Sequence, residues 1–230
     1  MSLKTDKLTD FSYSLGFIVI ASWTFLQGER NAYHLWLYIL IVLWSLRLGA
    51  YLVYRIAKTG VDKRFDQIRI NFWKFIQFWV FQAIVIPIIL LPSIYFFKLN
   101  AGFEVSMVFG IVIWTTGLII ESLADIQKLN FKNNVANKNK WIETGVWKYS
   151  RHPNYLGEIL CWLGIYIFTF GSLEGYEKII ALLSPLTISV LLIFISGIPI
   201  LEKKADERWG SNSVYKKYKK ETSILIPFIY

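Results

Sequence analysis

The sequence predicts an all-α, multipass transmembrane helical bundle that forms a single integral membrane domain over residues 1–230. Composition is the first observation: hydrophobic residues make up 55% of the chain and charged residues only 18%. The apolar residues also stand in blocks too long for the core of a soluble domain. None of these blocks alternates apolar and polar residues, as the strands of a membrane β-barrel do.

Six apolar blocks predict about six membrane spans, because crossing the hydrocarbon takes about 20 apolar residues. In chain order these blocks cover residues 11–27, 33–54, 73–97, 103–123, 155–171 and 178–200. The first and fifth blocks are the shortest. The polar, turn-prone stretch 130–140 predicts a loop between the fourth and fifth spans.

The distribution of Lys and Arg predicts that both termini are cytoplasmic. With six spans, 21 of the 25 basic residues then fall on the cytoplasmic side, as the positive-inside rule requires. Topology therefore explains the net charge of +9, and no basic-aromatic motif indicates a nucleic-acid partner. The single cysteine, Cys161, excludes an internal disulfide, and no His/Cys/carboxylate spacing indicates a metal site.

The most informative segment is Tyr149–Glu158, which reads YSRHPNYLGE and stands at the start of the fifth apolar block. Its proline suits the first turn of a helix, whose free N–H groups attract an anion such as a phosphate. Arg151 and His152 add basic side chains, and Asn154 and Glu158 lie one turn apart on one helical face. An interfacial anchor is the alternative interpretation of the basic pair, but Asn154 and Glu158 favour a binding site.

Further polar residues are predicted at the same membrane face. Asp125, Lys128 and Lys132 follow Glu121 at helical spacing, so all four line one face at the end of the fourth span. Glu202 and Asp206 share a face at the end of the sixth. These clusters indicate a cavity that a water-soluble cofactor reaches from the cytoplasm, while a hydrophobic substrate enters from the lipid.

The second span contains an intramembrane arginine. Arg47 precedes Arg55 by eight residues, which places it about 12 Å deeper in the membrane. An arginine at this depth usually pairs with a carboxylate or faces a polar cavity. Tyr51 lies one turn from Arg47, and Tyr54 is more typical of an interfacial aromatic belt.

Several of these segments carry a family resemblance over roughly residues 40–230. They are Ala124–Lys128 with Phe131 and Lys132, Thr144–Glu158, the ending Tyr-x-x-Tyr…Ile-Pro-Phe, Leu43–Gly49 and Asp62–Phe65. At these residues the chain resembles the steroid 5-alpha-reductase superfamily, in particular its bacterial membrane branch. This superfamily is related to membrane enzymes like isoprenylcysteine carboxyl methyltransferase.

The resemblance implies NADPH-dependent reduction of a carbon–carbon double bond conjugated to a carbonyl, in a steroid-like or other lipid substrate. It implies an inner-membrane enzyme whose cofactor site faces the cytoplasm. The predicted cofactor residues are Asp125, Lys128, Lys132, Arg151, His152, Asn154, Glu158 and Tyr218. The predicted catalytic residues are Tyr51 and Arg47, since Trp44 stands where the steroid enzymes have a tyrosine.

Two alternatives remain open. A membrane methyltransferase using S-adenosylmethionine would share the Arg-His-Pro-x-Tyr-x-Gly element, but its cofactor has no phosphate to explain the gathering of Lys128, Lys132 and Arg151. A non-catalytic membrane scaffold or lipid-binding protein is favoured by Trp44.

Overall fold

The computed structural model describes residues 6–59 and 72–229, so the resemblance element Asp62–Phe65 lies outside the described residues. Regular structure in the described residues is helical apart from one parallel bridge, Ser150–Ser223. The helices are α1 (Asp6–Gln27), α2 (Ala32–Thr59), α3 (Phe72–Ile89), α4 (Leu91–Phe96), α5 (Val105–Asn133), α6 (Pro153–Phe170), α7 (Tyr176–Ala181), α8 (Leu183–Val190), α9 (Ile198–Trp209) and α10 (Ser213–Glu221). Short 3-10 turns cover Val135–Asn137 and Gly145–Lys148, and a π turn covers Leu191–Ile195.

Four helical segments of the described residues are long and apolar enough to cross a membrane. They are Ala32–Arg55, Phe72–Ile89, Val105–Asn133 and Tyr176–Trp209. The all-helical class is confirmed, and these segments support the membrane assignment. Helices α1 and α6 occupy the first and fifth predicted blocks, while the count of six spans and the cytoplasmic termini stay predictions.

Proline and glycine interrupt two of the predicted spans. The third block divides at Leu90 into α3 and α4, with a proline two residues before the end of α3 and another at the start of α4. The sixth block divides into α7, α8, the π turn and α9. Gly197 precedes α9 with φ −101° and ψ −99°, and Pro199 occupies the first turn. Proline cannot donate to the helical ladder, so each block forms helical pieces instead of one continuous helix.

The chain forms two compact units, Met1–Val108 with Ile165–Ser184 and Phe109–Gly164 with Pro185–Tyr230. In the first unit, α1 and α2 pack through Phe17 and Trp44, whose ring centroids are 5.2 Å apart. His34 is fully buried and its Nε2 lies 3.1 Å from the carbonyl oxygen of Phe96, which makes it a core histidine. The prediction of a single domain is not tested by this division.

In the second unit, α5 and α6 approach closely along a seam of glycines. A Cβ on Gly117 would lie 2.6 Å from the carbonyl oxygen of Gly157, and one on Gly164 would lie 2.6 Å from the backbone nitrogen of Trp114. Such close approach of helix backbones requires residues without side chains. The packing buries the acidic end of the predicted polar stripe, since Asp125 retains only 5% of its exposure.

Candidate functional site

Two backbone N–H groups of the segment that precedes α6 donate hydrogen bonds that hold it in place. The N–H of Arg151 donates to the carbonyl oxygen of Ser223 at 2.9 Å, which ties the segment to the C-terminal tail. The N–H of His152 donates to Oγ of Ser150 at 3.2 Å. Pro153 then begins α6, as its position predicts, and the carbonyl oxygen of His152 accepts the first helical bonds.

Glu202 gathers the two basic side chains of this segment. Its Oε2 accepts a hydrogen bond from the Arg151 guanidinium, and its Oε1 lies 2.9 Å from Nε2 of His152. Lys219 approaches the same carboxylate, with Nζ 3.2 Å from Oε2. We refer to Arg151, His152, Glu202 and Lys219 as the Glu202 cluster. It joins the start of α6 to α9 and α10.

A second carboxylate, that of Asp206, pairs with Lys219 of the Glu202 cluster. Lys219 Nζ donates to both carboxylate oxygens of Asp206 at 2.7 Å. Partial burial alone would lower the pKa of Lys219, but the carboxylates of Asp206 and Glu202 outweigh it and raise that pKa. Lys219 therefore stays protonated, and its ion pairs with Asp206 and Glu202 link α10 to α9.

His152 is neutral at physiological pH. Burial lowers its pKa below the usual 6.5, and the nearby cations Lys128 and Arg151 act in the same direction. The hydrogen bond and charge of Glu202 oppose this shift without overcoming it. His152 therefore donates its Nε2–H to Glu202 as a neutral imidazole, while Arg151 and Lys219 balance the carboxylate.

A cavity of about 390 Å³ opens beside the Glu202 cluster. Six of its lining residues are cationic: Lys128, Lys132, Lys140, Arg151, Lys204 and Arg208. Among the residues that the structure describes, Glu202 is the one carboxylate in the lining. The remaining walls are rich in aromatic rings, namely Phe131, Trp141, Trp147, Trp209, Tyr215 and Tyr218. We call this space the basic cavity.

One wall of the basic cavity is the end of α5, covered by the 3-10 turn Gly145–Lys148. Trp147 Nε1 donates to the carbonyl oxygen of Ala124 at 3.0 Å, and Lys128 Nζ lies 4.4 Å from the centroid of the Trp147 ring. Gln127 Oε1 accepts the N–H of Val146 at 3.0 Å. The two motifs that carry the resemblance, Ala124–Lys128 and Thr144–Glu158, therefore contact each other.

A second wall of the basic cavity is formed where the loop 134–141 contacts α9 and α10. Asn139 adopts a left-handed backbone with φ 66°, and its Oδ1 accepts a hydrogen bond from Arg208 at 2.6 Å. Its carbonyl oxygen accepts the indole N–H of Trp209 at 2.8 Å. Tyr218 OH donates to the carbonyl oxygen of Trp147 at 3.2 Å, and burial raises the pKa of this hydroxyl. Tyr218 therefore stays protonated.

Four buried polar atoms near this segment have no hydrogen-bond partner in the structure. They are Arg151 Nε, His152 Nδ1, Asn154 Oδ1 and Ser223 Oγ. An unsatisfied buried polar atom costs about 1–3 kcal/mol, so such atoms usually bind water or a ligand. In the neutral imidazole described above, Nδ1 is an acceptor. The four atoms thus offer both donors and acceptors to a polar molecule.

A family model described as "Protein of unknown function (DUF1295)" matches residues 1–222. The chain belongs to this family. A comparison with curated proteins gave no match. The DUF1295 description names no activity.

Five of the eight predicted cofactor residues of this DUF1295 protein line the basic cavity: Lys128, Lys132, Arg151, His152 and Tyr218. The other three, Asp125, Asn154 and Glu158, are outside its lining. Asp125 is buried beside the glycine seam, and Glu158 is half-buried on α6. Asn154 stands in the first turn of α6 with its Oδ1 buried.

The predicted catalytic residues belong to the other unit. Arg47 and Tyr51 are half-buried on α2, and the Arg47 guanidinium carbon lies 5.6 Å from the centroid of the Tyr51 ring. The i,i+4 spacing therefore brings them together as predicted. Their catalytic role stays a prediction.

In the sequence analysis, Glu202 was placed near the predicted cavity without being given a role, and Tyr218 was the one aromatic wall residue assigned to the site. The Glu202–Asp206 spacing was the available signal for the carboxylate, because two acidic residues shared a face beside a basic segment. Trp141 had no comparable signal. Its ring centroid lies 5.2 Å from that of Tyr215 and 6.0 Å from that of Trp209.

Proposed function

We propose that this protein is a membrane-embedded, NADPH-dependent reductase of a carbon–carbon double bond conjugated to a carbonyl, in a steroid-like or other lipid substrate. One observation carries the proposal: among the described residues, the lining of the basic cavity has six cationic side chains and one carboxylate. Glu202 is already matched by Arg151 and Lys219. The described lining therefore carries more positive than negative charge, which suits a polyanionic ligand.

NADPH fits this charge because its phosphates carry several negative charges. Lysine and arginine side chains bind phosphates through charge-assisted hydrogen bonds, and arginine does so with a planar, bidentate geometry. Lys132, Lys204 and Arg208 line the cavity from two different elements, α5 and α9. Cations on two sides can hold a molecule whose phosphates are separated along its length.

The aromatic rings of the cavity and its polar atoms without partners can bind the uncharged parts of NADPH. Aromatic rings such as Trp141 and Trp209 offer faces on which an adenine can stack. His152 lines the cavity, and its Nδ1 is a buried acceptor without a hydrogen-bond partner in the structure. An amide N–H or a ribose hydroxyl would satisfy it.

When bound, NADPH supplies the hydride that adds to the β-carbon of the enone. The protein's part is to stabilise the enolate that forms at the carbonyl oxygen. We propose Tyr51 as the hydroxyl donor to that oxygen and Arg47 as its positioning cation, with solvent supplying the proton at the α-carbon. A Tyr51→Phe variant with undiminished turnover would remove Tyr51 from this mechanism.

We propose further that the basic cavity faces the cytoplasm of a bacterial inner membrane, where NADPH is present. The lysine-rich segments around it, including α10, support this orientation through the positive-inside rule. The substrate is then a hydrophobic molecule that enters from the bilayer.

Methyl transfer from S-adenosylmethionine is the competing activity. That cofactor carries a cationic sulfonium and no phosphate, so an excess of lysine and arginine would repel it. A thermal-shift titration with NADPH, NADH and S-adenosylmethionine separates the two activities, because a ligand stabilises the folded state that binds it. Stabilisation by NADPH supports the reductase. A response to S-adenosylmethionine alone would replace it with a methyltransferase, and no response to any of the three would favour a scaffold.

A further inference from the structure

The C-terminal tail exposes an apolar surface that the proposed function does not use. Four of the seven residues from Ser223 to Ile229 have exposed apolar side chains: Ile224, Ile226, Phe228 and Ile229. Phe228 is the most exposed, at 76%. A soluble surface rarely presents so many large apolar side chains together unless they bind something.

The tail has a defined conformation that presents these side chains outwards. Ser223 pairs with Ser150 in a parallel bridge, and the N–H of Ile229 donates to the carbonyl oxygen of Ile226 at 3.1 Å. Phe228 lies in this turn with φ 68°, a conformation that is uncommon for a bulky residue. Its ring contacts that of Tyr149 at a centroid distance of 6.3 Å, so Tyr149, itself exposed, extends the apolar surface.

Contacts within the second unit place the start of the tail near the end of an apolar helical segment. Ser223 is bonded to the backbone of Arg151, whose side chain binds Glu202. Glu202 stands seven residues before the end of the segment Tyr176–Trp209, which is long and apolar enough to cross a membrane. Seven residues of helix measure about 10 Å, so this contact lies within the depth of a membrane interface.

Basic residues flank the apolar surface. Lys148 precedes Tyr149, and its Nζ lies 6.0 Å from the centroid of that ring. On α10, Lys216, Lys217 and Lys220 are exposed. Apolar side chains beside lysines are typical of segments that lie in the headgroup region of an anionic bilayer, and each lysine near such a surface adds about 1 kcal/mol.

We propose that the tail, residues 223–229, lies in the headgroup region of the bilayer that holds the helices and binds it through Ile224, Ile226, Phe228 and Ile229. The flanking lysines bind anionic headgroups. Since the tail is hydrogen-bonded to the backbone of Arg151, its position in the membrane also constrains the position of Arg151 in the Glu202 cluster. This proposal does not depend on which reaction the protein catalyses.

A fluorescent label on the tail tests this. Phe228→Cys and Ile226→Cys variants are labelled with nitrobenzoxadiazole and reconstituted in nanodiscs with anionic lipid. Ser211→Cys, in the exposed turn between α9 and α10, is the matched control. The wild type controls for labelling, because its single cysteine, Cys161, is buried.

We expect the labels at 226 and 228 to emit at shorter wavelength and to be quenched several-fold more by spin-labelled lipid than the label at 211. Aqueous iodide should show the reverse order. Quenching of all three labels by iodide alone would overturn the proposal, because the tail would then lie in water. Protection from both quenchers would also overturn it, in favour of a contact with a second copy of the chain or another protein.

Discussion

Oε1 of Glu202 lies 2.9 Å from Nε2 of His152, although 50 residues separate the two in the sequence. The same carboxylate binds Arg151 and Lys219, so one side chain on α9 positions the basic residues that precede α6. This arrangement leaves Nε of Arg151 and Nδ1 of His152 buried without partners. Glu202 therefore acts on the candidate site by fixing the positions of its neighbours.

Replacing Glu202 with Gln should destabilise the folded protein by about 3 kcal/mol, because it leaves Arg151 and Lys219 without their shared anion. Chemical unfolding in detergent measures the loss. Glu207→Gln on the same helix is the matched control, since that carboxylate is exposed and should change stability by less than about 0.5 kcal/mol. Equal effects of the two substitutions would show that the Glu202 cluster contributes little.

Lys132→Gln should weaken NADPH binding at least about tenfold, since a charge-assisted hydrogen bond contributes about 1.5–3 kcal/mol. Lys132 lines the basic cavity, whereas Lys203 on α9 is exposed and stands outside its lining. Lys203→Gln changes the net charge by the same amount and should leave the affinity unchanged. Equal weakening by both variants, in a direct binding titration, would indicate a general effect of net charge.

The stability of the protein should fall as the pH drops below about 6.5. Burial lowers the pKa of His152 in the folded state, so the unfolded chain takes up a proton at higher pH than the folded chain does. The stabilisation by neutral His152 is complete above pH 6.5. It is lost between that pH and the lowered pKa, with a slope of up to about 1.4 kcal/mol per pH unit.

His152→Gln provides the test of this slope, because glutamine can still donate to Glu202 but does not titrate. Unfolding is followed at several pH values between neutral and mildly acidic. The variant should lose less stability than the wild type over this range. Identical pH profiles would show that His152 does not bind its proton differently in the two states.

Gly157→Ala should destabilise the second unit by about 1–3 kcal/mol, because the new methyl group meets backbone atoms of α5 that cannot move aside. A Cβ at this position would lie 2.6 Å from the backbone nitrogen of Glu121. Gly102→Ala is the matched control, as nothing lies within 4 Å of its added Cβ. Thermal unfolding should separate the two variants, and equal melting temperatures would mean that α5 and α6 can separate at little cost.

Much of the helical architecture was predictable because the apolar blocks are long. The block 33–54 lies within α2, Ala32–Thr59. The loop predicted over 130–140 was right only in part, because α5 continues through its first four residues and ends at Asn133. The helix breaks in the third and sixth blocks occur at prolines and at Gly197. Whether such residues break a membrane helix depends on the groups packed around them, so the sequence alone did not predict these breaks. Sequence reasoning treated each block as one span for that reason.

The candidate site was predictable where its residues are close in the sequence. Tyr149–Glu158 reads as a helix start with basic residues before it, and the structure has that arrangement at Pro153. The pairing of Glu202 with Arg151 and His152 could not be predicted from the sequence, because about 50 residues separate them. Tertiary packing alone determines which carboxylate meets them.

The most direct measurement is an isothermal titration of the full chain, reconstituted in nanodiscs, with NADPH. The proposed function predicts one binding site per chain, with an affinity that falls as the salt concentration rises, because cations of the basic cavity hold the phosphates. S-adenosylmethionine titrated under the same conditions should give no binding heat. Absence of NADPH binding, with S-adenosylmethionine bound instead, would contradict the proposed function and show that the protein uses a different cofactor.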